Sequence, residues 1–144
     1  MNWPCREFAF GSEEYRASLM LREEVLRKPL GLPLRPEDTA GEGDSFHLGC
    51  FDGELLVGSL ILKPVDETTV RMRQVAVAPD TQGKGAGSDL IAFAESFARE
   101  KGYRTIVAHV RREYFQFYVK RGYRVRGGPF IEVTIPHLAV AKDL

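Results

Sequence analysis

Three glycines separated by single residues lie between Gln82 and Ser88, a spacing that could bind phosphate. The run reads Gln-Gly-Lys-Gly-Ala-Gly-Ser. Because glycine has no side chain, the backbone N–H groups of such a loop stay accessible to a ligand. An apolar pattern typical of an amphipathic helix continues from Leu90, and a helix N-terminus adds unpaired N–H groups and a positive dipole end. The junction of loop and helix therefore predicts an anion site suited to phosphate.

Two common phosphate-binding motifs do not fit this loop. A P-loop requires serine or threonine directly after its lysine, whereas Lys84 is followed by Gly85. The dinucleotide fingerprint Gly-x-Gly-x-x-Gly fails because only one residue separates Gly85 from Gly87. The pattern that fits is Gln-x-x-Gly-x-Gly, which begins at Gln82. A nucleotide-binding domain is therefore excluded by spacing.

Hydrophobic periodicity predicts the elements that hold the loop. A strand over residues 69–77 leads directly into it, and Gly102 is expected to cap the end of the helix that follows. The remaining downstream elements are a strand over 106–110, a helix over 112–120, and closing strands over 123–125 and 130–141. Upstream, strands over 46–50 and 55–62 are joined by a two-residue turn at Asp52-Gly53.

The first part of the chain predicts one helix and a long irregular connection. Ser12 is expected to cap a helix that extends to about Arg27. Prolines and a glycine then forbid a regular helix over Lys28–Gly43. Two interpretations of this connection stay open, a lid over an acceptor site and a flexible surface loop. Its acidic residues could attract a cation or simply form a solvated surface: Glu37, Asp38 and Glu42.

Length predicts one domain over residues 1–144, and the order of the predicted strands and helices predicts a mixed α/β class. Twenty basic and twenty acidic residues cancel, so no global charge favours nucleic acid or an anionic membrane. The chain shows neither a signal-peptide pattern nor an apolar run of roughly 20 residues, and we expect a cytoplasmic protein. Cys5 and Cys50 lack metal-ligand spacing, so no metal site is expected.

Two motifs resemble the GNAT superfamily of acyl-CoA-dependent N-acyltransferases. The first is the Gln-x-x-Gly-x-Gly loop, preceded by Val-Ala-Val-Ala-Pro at residues 75–79 and followed by an apolar helix. The second is Phe-Tyr-Val-Lys-Arg-Gly-Tyr at residues 117–123, similar to the family's Phe-Tyr-x-x-x-Gly-Phe/Tyr run. The segment 130–137 is also similar to a subgroup with a Glu-x-x-Ile-Pro-His tail. The resemblance implies the acyl-CoA N-acyltransferase fold, a mostly antiparallel sheet with helices on both faces.

The resemblance also implies how acetyl-CoA binds. In the family, the strand ending at Val77 and the strand over 104–109 splay apart, often with the help of a bulge, and the pantetheine arm pairs with backbone groups in the opening. Lys84 either adds charge near the diphosphate or is an ordinary solvated loop lysine. The implied cofactor-binding residues are Val75, Ala76, Val77, Gln82, Gly83, Lys84, Gly85, Ala86, Gly87 and Ser88.

The implied reaction is direct transfer of an acetyl group to a primary amine of a small molecule or protein. Tyr118 occupies the family's position for assisting the departing thiolate, although a packed helix aromatic is the alternative. A base must take the proton of the amine. His109 and Glu132 are candidates, as are His47 and His137, and a water relay is equally compatible.

A second function stays open, a non-catalytic module that binds acyl-CoA as a sensor. Both functions keep the glycine loop, and only the transferase requires an acceptor pocket and the role of Tyr118. Dimers are frequent in the family, so a homodimer is compatible with the resemblance.

Overall fold

A computed structural model describes residues 3–144. Their fold is built on one sheet. Among these residues, helices form at α1 (Glu13–Arg22), α2 (Ala86–Glu100) and α3 (Phe115–Val119). The strands are β1 (Cys5–Phe8), β2 (Phe46–Asp52), β3 (Leu55–Pro64), β4 (Thr69–Val77), β5 (Thr105–Arg111), β6 (Arg124–Val125), β7 (Phe130–Glu132) and β8 (Ile135–Asp143).

The strand order is β1-β2-β3-β4-β5-β8-β6, and β7 also pairs with β8. Strands β4 and β5 are parallel, and the other pairs are antiparallel. Two separate clusters of buried side chains pack on the sheet. One contains Leu90, Ala94 and Ala98 of α2, and the other contains Tyr15 and Leu21 of α1. The predicted mostly antiparallel sheet with helices on both faces is therefore confirmed.

Local signals correctly place two helix ends, the start of α1 and the end of α2. The Ser12 side chain accepts a hydrogen bond from the backbone N–H of Tyr15, as expected of an N-cap. Gly102 follows α2 with a positive φ of 94°, as a C-terminal glycine cap requires. The first helix was predicted to extend to about Arg27, but its α-helical part ends at Arg22 and a π-helical turn continues to Arg27.

Three details differ from the sequence predictions. The β2–β3 turn is formed by Gly53 and Glu54, one residue later than predicted, because Gly53 takes the left-handed φ of 62°. Strand β1 was not predicted, since its four residues are too short to show periodicity. The segment 130–141, predicted as one strand, is split by a turn at Val133 and Thr134 into β7 and β8.

A buried ion pair anchors the connection after α1. Arg22 donates two hydrogen bonds of 2.8 Å to the carboxylate of Glu42, and the Tyr15 hydroxyl donates a third. Glu42 is 3% exposed, so its charge is fully engaged. The connection between Lys28 and Gly43 contains two short 3₁₀ turns, and a third begins at Glu42. No helix within residues 3–144 is long and apolar enough to cross a bilayer.

Candidate functional site

An opening forms where β4 and β5 separate. The two strands pair only from Thr69 and Thr105 to Met72 and Ala108. Beyond this point Gln74 takes a positive φ of 57°, and the register of β4 against β3 shifts. This is a β-bulge, which bends the strand and interrupts its pairing. The predicted splay and bulge are therefore confirmed.

Backbone groups of β4 line the opening in alternation. Ala78 N–H donates to Val57 of β3 at 2.8 Å. Because backbone direction alternates along a strand, Ala76 also faces β3, whereas Val75 and Val77 direct their backbone groups to the opening. The Val77 carbonyl accepts a hydrogen bond of 2.9 Å from the Gln82 side chain.

The glycine loop leaves the N-terminus of α2 uncapped. Gly83 and Gly85 take positive φ values of 79° and 87°, which glycine adopts without strain. Gly85 is the N-cap residue and supplies no side chain, and the first helical bond runs from Asp89 N–H to its carbonyl at 3.0 Å. The N–H groups at the start of α2 therefore lack intrahelical partners.

A cavity of about 500 Å³ lies against this loop. Seven of the ten predicted cofactor-binding residues line it: Val75, Val77, Gln82, Gly83, Gly85, Gly87 and Ser88. The side chains of Ala76 and Ala86 are buried elsewhere, and Lys84 is exposed outside the lining. The predicted contacts are made by backbone groups, so the cofactor-binding role of these ten residues stays a prediction.

The cavity wall fits closely around Gly87. A Cβ atom added there would lie 3.6 Å from Val77 Cγ2 and 3.7 Å from Phe117 Cζ. These are ordinary contact distances, so a methyl group would fit the fold and would occupy the cavity beside the uncapped N–H groups. A glycine is therefore what leaves this space for a ligand.

Arg121 is a cation beside the loop that the sequence reasoning missed. Its guanidinium stacks 3.5 Å from the centroid of Phe117 and donates to the hydroxyl of Ser88 and the carbonyl of Phe117. Arg121 also lines the cavity of about 500 Å³. The available signal was the spacing of four residues from Phe117, in the helix predicted over 112–120, to Arg121 directly after it, since residues four apart share one helix face.

Trp3 holds the outer side of the same loop. Its backbone N–H donates to the Asp89 carboxylate at 2.8 Å, and its indole N–H donates to the Lys84 carbonyl at 3.0 Å. The N-terminal segment therefore fixes both the loop and the first turn of α2. This contact joins residues far apart in sequence and carries no local signal.

A smaller cavity of about 150 Å³ continues from the first through the opening of the sheet. The two share lining residues, among them Val75, Arg111, Tyr114 and Tyr118. Arg111 also donates to the Leu26 carbonyl at 3.2 Å, which joins the end of β5 to the turn after α1.

Tyr118 is buried where these two cavities meet. Together with a third cavity described below, they form one path through the sheet. Its ring packs edge-on against Phe117 and Tyr123 at centroid distances of 5.3 and 5.6 Å. Burial raises the pKa of Tyr118 to about 12. The hydroxyl therefore stays protonated at physiological pH and can donate a hydrogen bond into the path.

Three of the four predicted base candidates lie together in the lining of the smaller cavity and not in that of the cavity against the glycine loop. His109 Nδ1 lies 3.1 Å from Glu132 Oε1, and His137 Nε2 lies 3.7 Å from Glu132 Oε2. A carboxylate only accepts, so His109 donates from Nδ1, and in the neutral ring that leaves Nε2 as an acceptor. His137 Nδ1 contacts the Ile135 carbonyl at 2.8 Å.

The turn between β7 and β8 creates this cluster. Val133 and Thr134 both have positive φ, 49° and 63°, and Glu132 pairs with Ile135 across them. A two-residue turn of this kind normally contains Asn and Gly, because β-branched residues are strained in the left-handed region. The strained turn brings the Glu132 carboxylate within 3.1 Å of the His109 ring on β5.

His47 is wrong as a base candidate. It is 2% exposed, its Nε2 contacts the Glu42 carbonyl at 2.8 Å, and its ring packs edge-on against Tyr15. It lies in none of the cavities described, so it is a structural histidine of the α1 side.

A third cavity of about 390 Å³ completes the path. It shares His109, Glu132, Arg73 and Gln74 with the central one. One end of the path therefore presents main-chain N–H groups and Arg121, the middle a phenol donor, and the other end an imidazole paired with a carboxylate. In such a path the N–H groups and Arg121 can hold an anionic group, the phenol can donate a hydrogen bond, and the imidazole can accept a proton.

Comparison with known proteins agrees with this geometry. The model of the acetyltransferase (GNAT) family matches residues 3–123. YjcF of Bacillus subtilis (strain 168), described as an uncharacterised N-acetyltransferase, is 28% identical over 136 residues, which cover 94% of this chain and 96% of YjcF. YitI of the same organism, described in the same words, is 29% identical over 135 residues, covering 86% of this chain and 88% of YitI.

Solved structures share the whole fold. An acyl-CoA N-acyltransferase from Pseudomonas aeruginosa is 25% identical with a TM-score of 0.82, and the match covers 98% of each chain. A GNAT family acetyltransferase from Elizabethkingia anophelis, with acetyl-CoA bound, is 18% identical with a TM-score of 0.78 and covers 99% of each chain.

Proposed function

The chain belongs to the acetyltransferase (GNAT) family, and on that premise we propose that it transfers the acetyl group of acetyl-CoA directly to a primary amine. The acceptor is a small molecule or an exposed amine of a protein. The path through the sheet carries the proposal, because it joins the uncapped start of α2 to Tyr118 and then to the His109–Glu132 pair.

The residues beside the loop fit acetyl-CoA. The N–H groups of residues 83–88 would hold the diphosphate, and Arg121 would add charge beside them. Backbone groups of Val75 and Val77 would pair with the pantetheine arm. The acetyl-CoA bound in the Elizabethkingia anophelis structure, which has this fold, supports the assignment. When bound, acetyl-CoA supplies an acyl group on sulfur, whose thiol has an ordinary pKa of about 8.5.

His109 is the proposed proton acceptor. An alkyl amine with a pKa near 10.4 is only about 0.1% neutral at pH 7.4, so a base has to remove a proton before the nitrogen can react. His109 Nε2 would take that proton directly or through one water. Glu132 acts as a positioning residue, since its contact of 3.1 Å with Nδ1 fixes the tautomer and orientation of the ring.

Tyr118 and the backbone of β4 act on the acyl group. The Tyr118 hydroxyl, with its pKa raised to about 12 by burial, keeps its proton and donates a hydrogen bond to the departing sulfur. An N–H group of Val75 or Val77 polarises the carbonyl oxygen. The two donors therefore stabilise charge at the two atoms where it develops.

The alternative of a non-catalytic acyl-CoA-binding module is not favoured. A module of that kind needs the glycine loop and has no use for a proton acceptor and donor along the same path. The family match and the relatives described as N-acetyltransferases also favour an enzyme.

Thiol release from acetyl-CoA tests the proposal. Purified protein is titrated with CoA in a calorimeter and then assayed with a thiol-reactive dye against a broad panel of primary amines. We expect CoA binding and amine-dependent thiol release, with the acetylated amine confirmed by mass spectrometry. Binding of CoA without thiol release for any amine would refute the transferase and support the module.

Two histidine variants test the proposed base. His109→Gln is expected to lower kcat by about 100-fold or more, as loss of a general base does, with little change in stability because the side chain is 33% exposed. His47→Gln is the matched control. It should lower the melting temperature and leave kcat unchanged, since His47 is buried away from the path. A kcat of His109→Gln as high as that of His47→Gln would show that His109 is not the base.

A further inference from the structure

We infer that the amine acceptor also carries an anionic group, a phosphate or a carboxylate, which binds at the end of the path opposite the glycine loop. The inference rests on the proposed function and adds to it the chemical class of the acceptor. The evidence is the charge of the third cavity, the pairing of its strands and one unsatisfied donor.

Basic side chains dominate the wall of this cavity. Arg27, Lys63, Arg71 and Arg73 line it, together with a single carboxylate, that of Glu132. Glu132 is already engaged by His109 and His137. Asp38 lies outside the lining and pairs with Arg27 at 3.4 Å. The cavity therefore has an excess of positive charge over the carboxylates that reach it.

Two of the cations oppose each other across neighbouring strands. Lys63 of β3 is the direct register partner of Arg71 in β4. Like charges in directly opposite positions destabilise a sheet. Among residues 3–144, the ion pairs include neither of these two residues nor Arg73. A shared anion would convert this repulsion into attraction.

Arg71 also presents a donor without a partner. Its Nε is buried, and no hydrogen-bond acceptor meets it within the described part of the chain. A buried donor left unsatisfied lowers stability, and bound phosphate or carboxylate is the ligand that arginine recognises best. Because Arg71 lines the cavity and this donor has no partner, the residue points to an anionic ligand there.

The geometry sets the size of the acceptor. Met72 pairs with Ala108, so His109 lies level with the position two residues beyond Arg71. Two strand residues correspond to roughly 7 Å along the strands, and the spacing of about 4.8 Å between neighbouring strands adds to this separation. An amine at His109 and an anionic group at Arg71 and Lys63 therefore belong to one small molecule or to neighbouring positions of a peptide.

This assignment replaces one option that the sequence left open. The acidic residues of the Lys28–Gly43 connection could have attracted a cationic acceptor. Glu42 is instead buried against Arg22, Asp38 is paired with Arg27, and Glu37 lies 3.9 Å from Arg35 and outside the lining of the cavity. Apart from Glu132, the charged side chains that line the third cavity with His109 are cationic.

Matched amines test the inference by thiol release. The panel contains an aminoalkyl phosphate, an aminoalkyl carboxylate, a neutral aminoalkyl alcohol and a diamine, all of comparable length. We expect kcat/KM for at least one anionic amine to exceed that for the neutral amine by about 10-fold or more, mainly through KM, with the diamine slowest. The better of the two anions identifies the group. Turnover of neutral amines or diamines as fast as anionic ones would overturn the inference while leaving the transferase intact.

Charge-removing variants locate the anion. Arg71→Gln and Lys63→Gln should abolish the preference for anionic amines, leave the KM for acetyl-CoA unchanged, and raise the melting temperature because the opposed charges are relieved. Arg124→Gln, an exposed cation far from the path that pairs with Asp143, is the control and should keep the preference. Retention of the preference in both cavity variants would refute the site.

Inorganic phosphate gives a readout that does not depend on activity. Phosphate is expected to raise the melting temperature of the wild-type protein, and Arg71→Gln should lose part of this stabilisation. Lys63→Gln, whose side chain is exposed, repeats the comparison if Arg71→Gln folds poorly. Equal stabilisation of wild type and both variants would overturn the inference even if no amine were turned over.

Discussion

Removing the hydroxyl of Tyr118 separates a catalytic role from a packing role. Tyr118→Phe keeps the ring that packs against Phe117 and Tyr123 and deletes only one oxygen. If the hydroxyl donates to the departing sulfur, kcat falls. If the residue is only a packed helix aromatic, kcat stays.

The raised pKa of Tyr118 sets the expected magnitude. Transfer of its proton from a pKa of about 12 to a thiolate near 8.5 would be uphill by about 5 kcal/mol, so the hydroxyl donates a hydrogen bond and keeps its proton. A hydrogen bond to a charged group contributes about 1.5–3 kcal/mol. The expected loss in kcat is therefore roughly 10- to 150-fold.

Tyr123→Phe is the matched control. The Tyr123 hydroxyl donates to Glu95 at 2.9 Å in a buried site outside the path. Its loss should lower the free energy of unfolding by about 1–3 kcal/mol and leave kcat unchanged. Tyr118→Phe should show the reverse, with kcat reduced and the melting temperature nearly constant.

Initial rates of thiol release at saturating acetyl-CoA, together with thermal unfolding of both variants, measure these effects. In wild type the Tyr118 donor should persist through pH 10, because its pKa is raised above the ordinary value for tyrosine. Wild-type kcat in Tyr118→Phe with a good acceptor would refute the role of the hydroxyl.

Three further variants test the loop, the buried ion pair and the strained turn. Gly87→Ala should stabilise α2 by about 1 kcal/mol and yet raise the Kd for CoA by about 10-fold, and an unchanged Kd in calorimetry would contradict the binding site. Glu42→Gln should lower the free energy of unfolding in urea by about 3–5 kcal/mol, because Arg22 is left buried without a counter-charge. Burial raises the pKa of Glu42, but Arg22 outweighs burial and holds that pKa below its usual value. Wild type should therefore lose this contribution as the pH falls through the depressed pKa, whereas Glu42→Gln should not. Val133→Asn combined with Thr134→Gly should raise stability by about 1–2 kcal/mol, and a decrease would show that the turn is not strained.

The features that the sequence predicted well depend on local patterns. Residues 69–77 form β4 with the predicted bounds, and the glycine spacing from Gln82 to Gly87 forms the uncapped helix start. The cap at Gly102 follows from the same kind of signal. In each case the residue types within one short segment determine the backbone conformation.

The residue proposed as proton acceptor is among the candidates that the sequence gives, but the sequence does not single it out. His109 and Glu132 are separated by 23 residues and meet because β5 pairs with β8 and β7 folds back on β8. The turn that folds it back contains Val133 and Thr134, which carry no turn signal, so segment 130–141 read as one strand. The Glu-x-x-Ile-Pro-His tail places Glu132 and His137 together, and membership of the corresponding subgroup stays a prediction.

The basic cavity was invisible in the sequence for a different reason. Lys63 directly follows the predicted strand over 55–62, Arg71 and Arg73 alternate along the predicted strand over 69–77, and the overall charge is balanced. Only the register of β3 with β4 shows that Lys63 opposes Arg71, and only the splay of β4 from β5 places them beside His109.

The proposed binding of a diphosphate by main-chain N–H groups is tested most directly by amide NMR of isotope-labelled protein during titration with CoA. The largest shifts are expected at the N–H groups of residues 83–88, with further shifts at Val75 and Val77. Saturation of CoA binding with those amides unmoved would contradict the account.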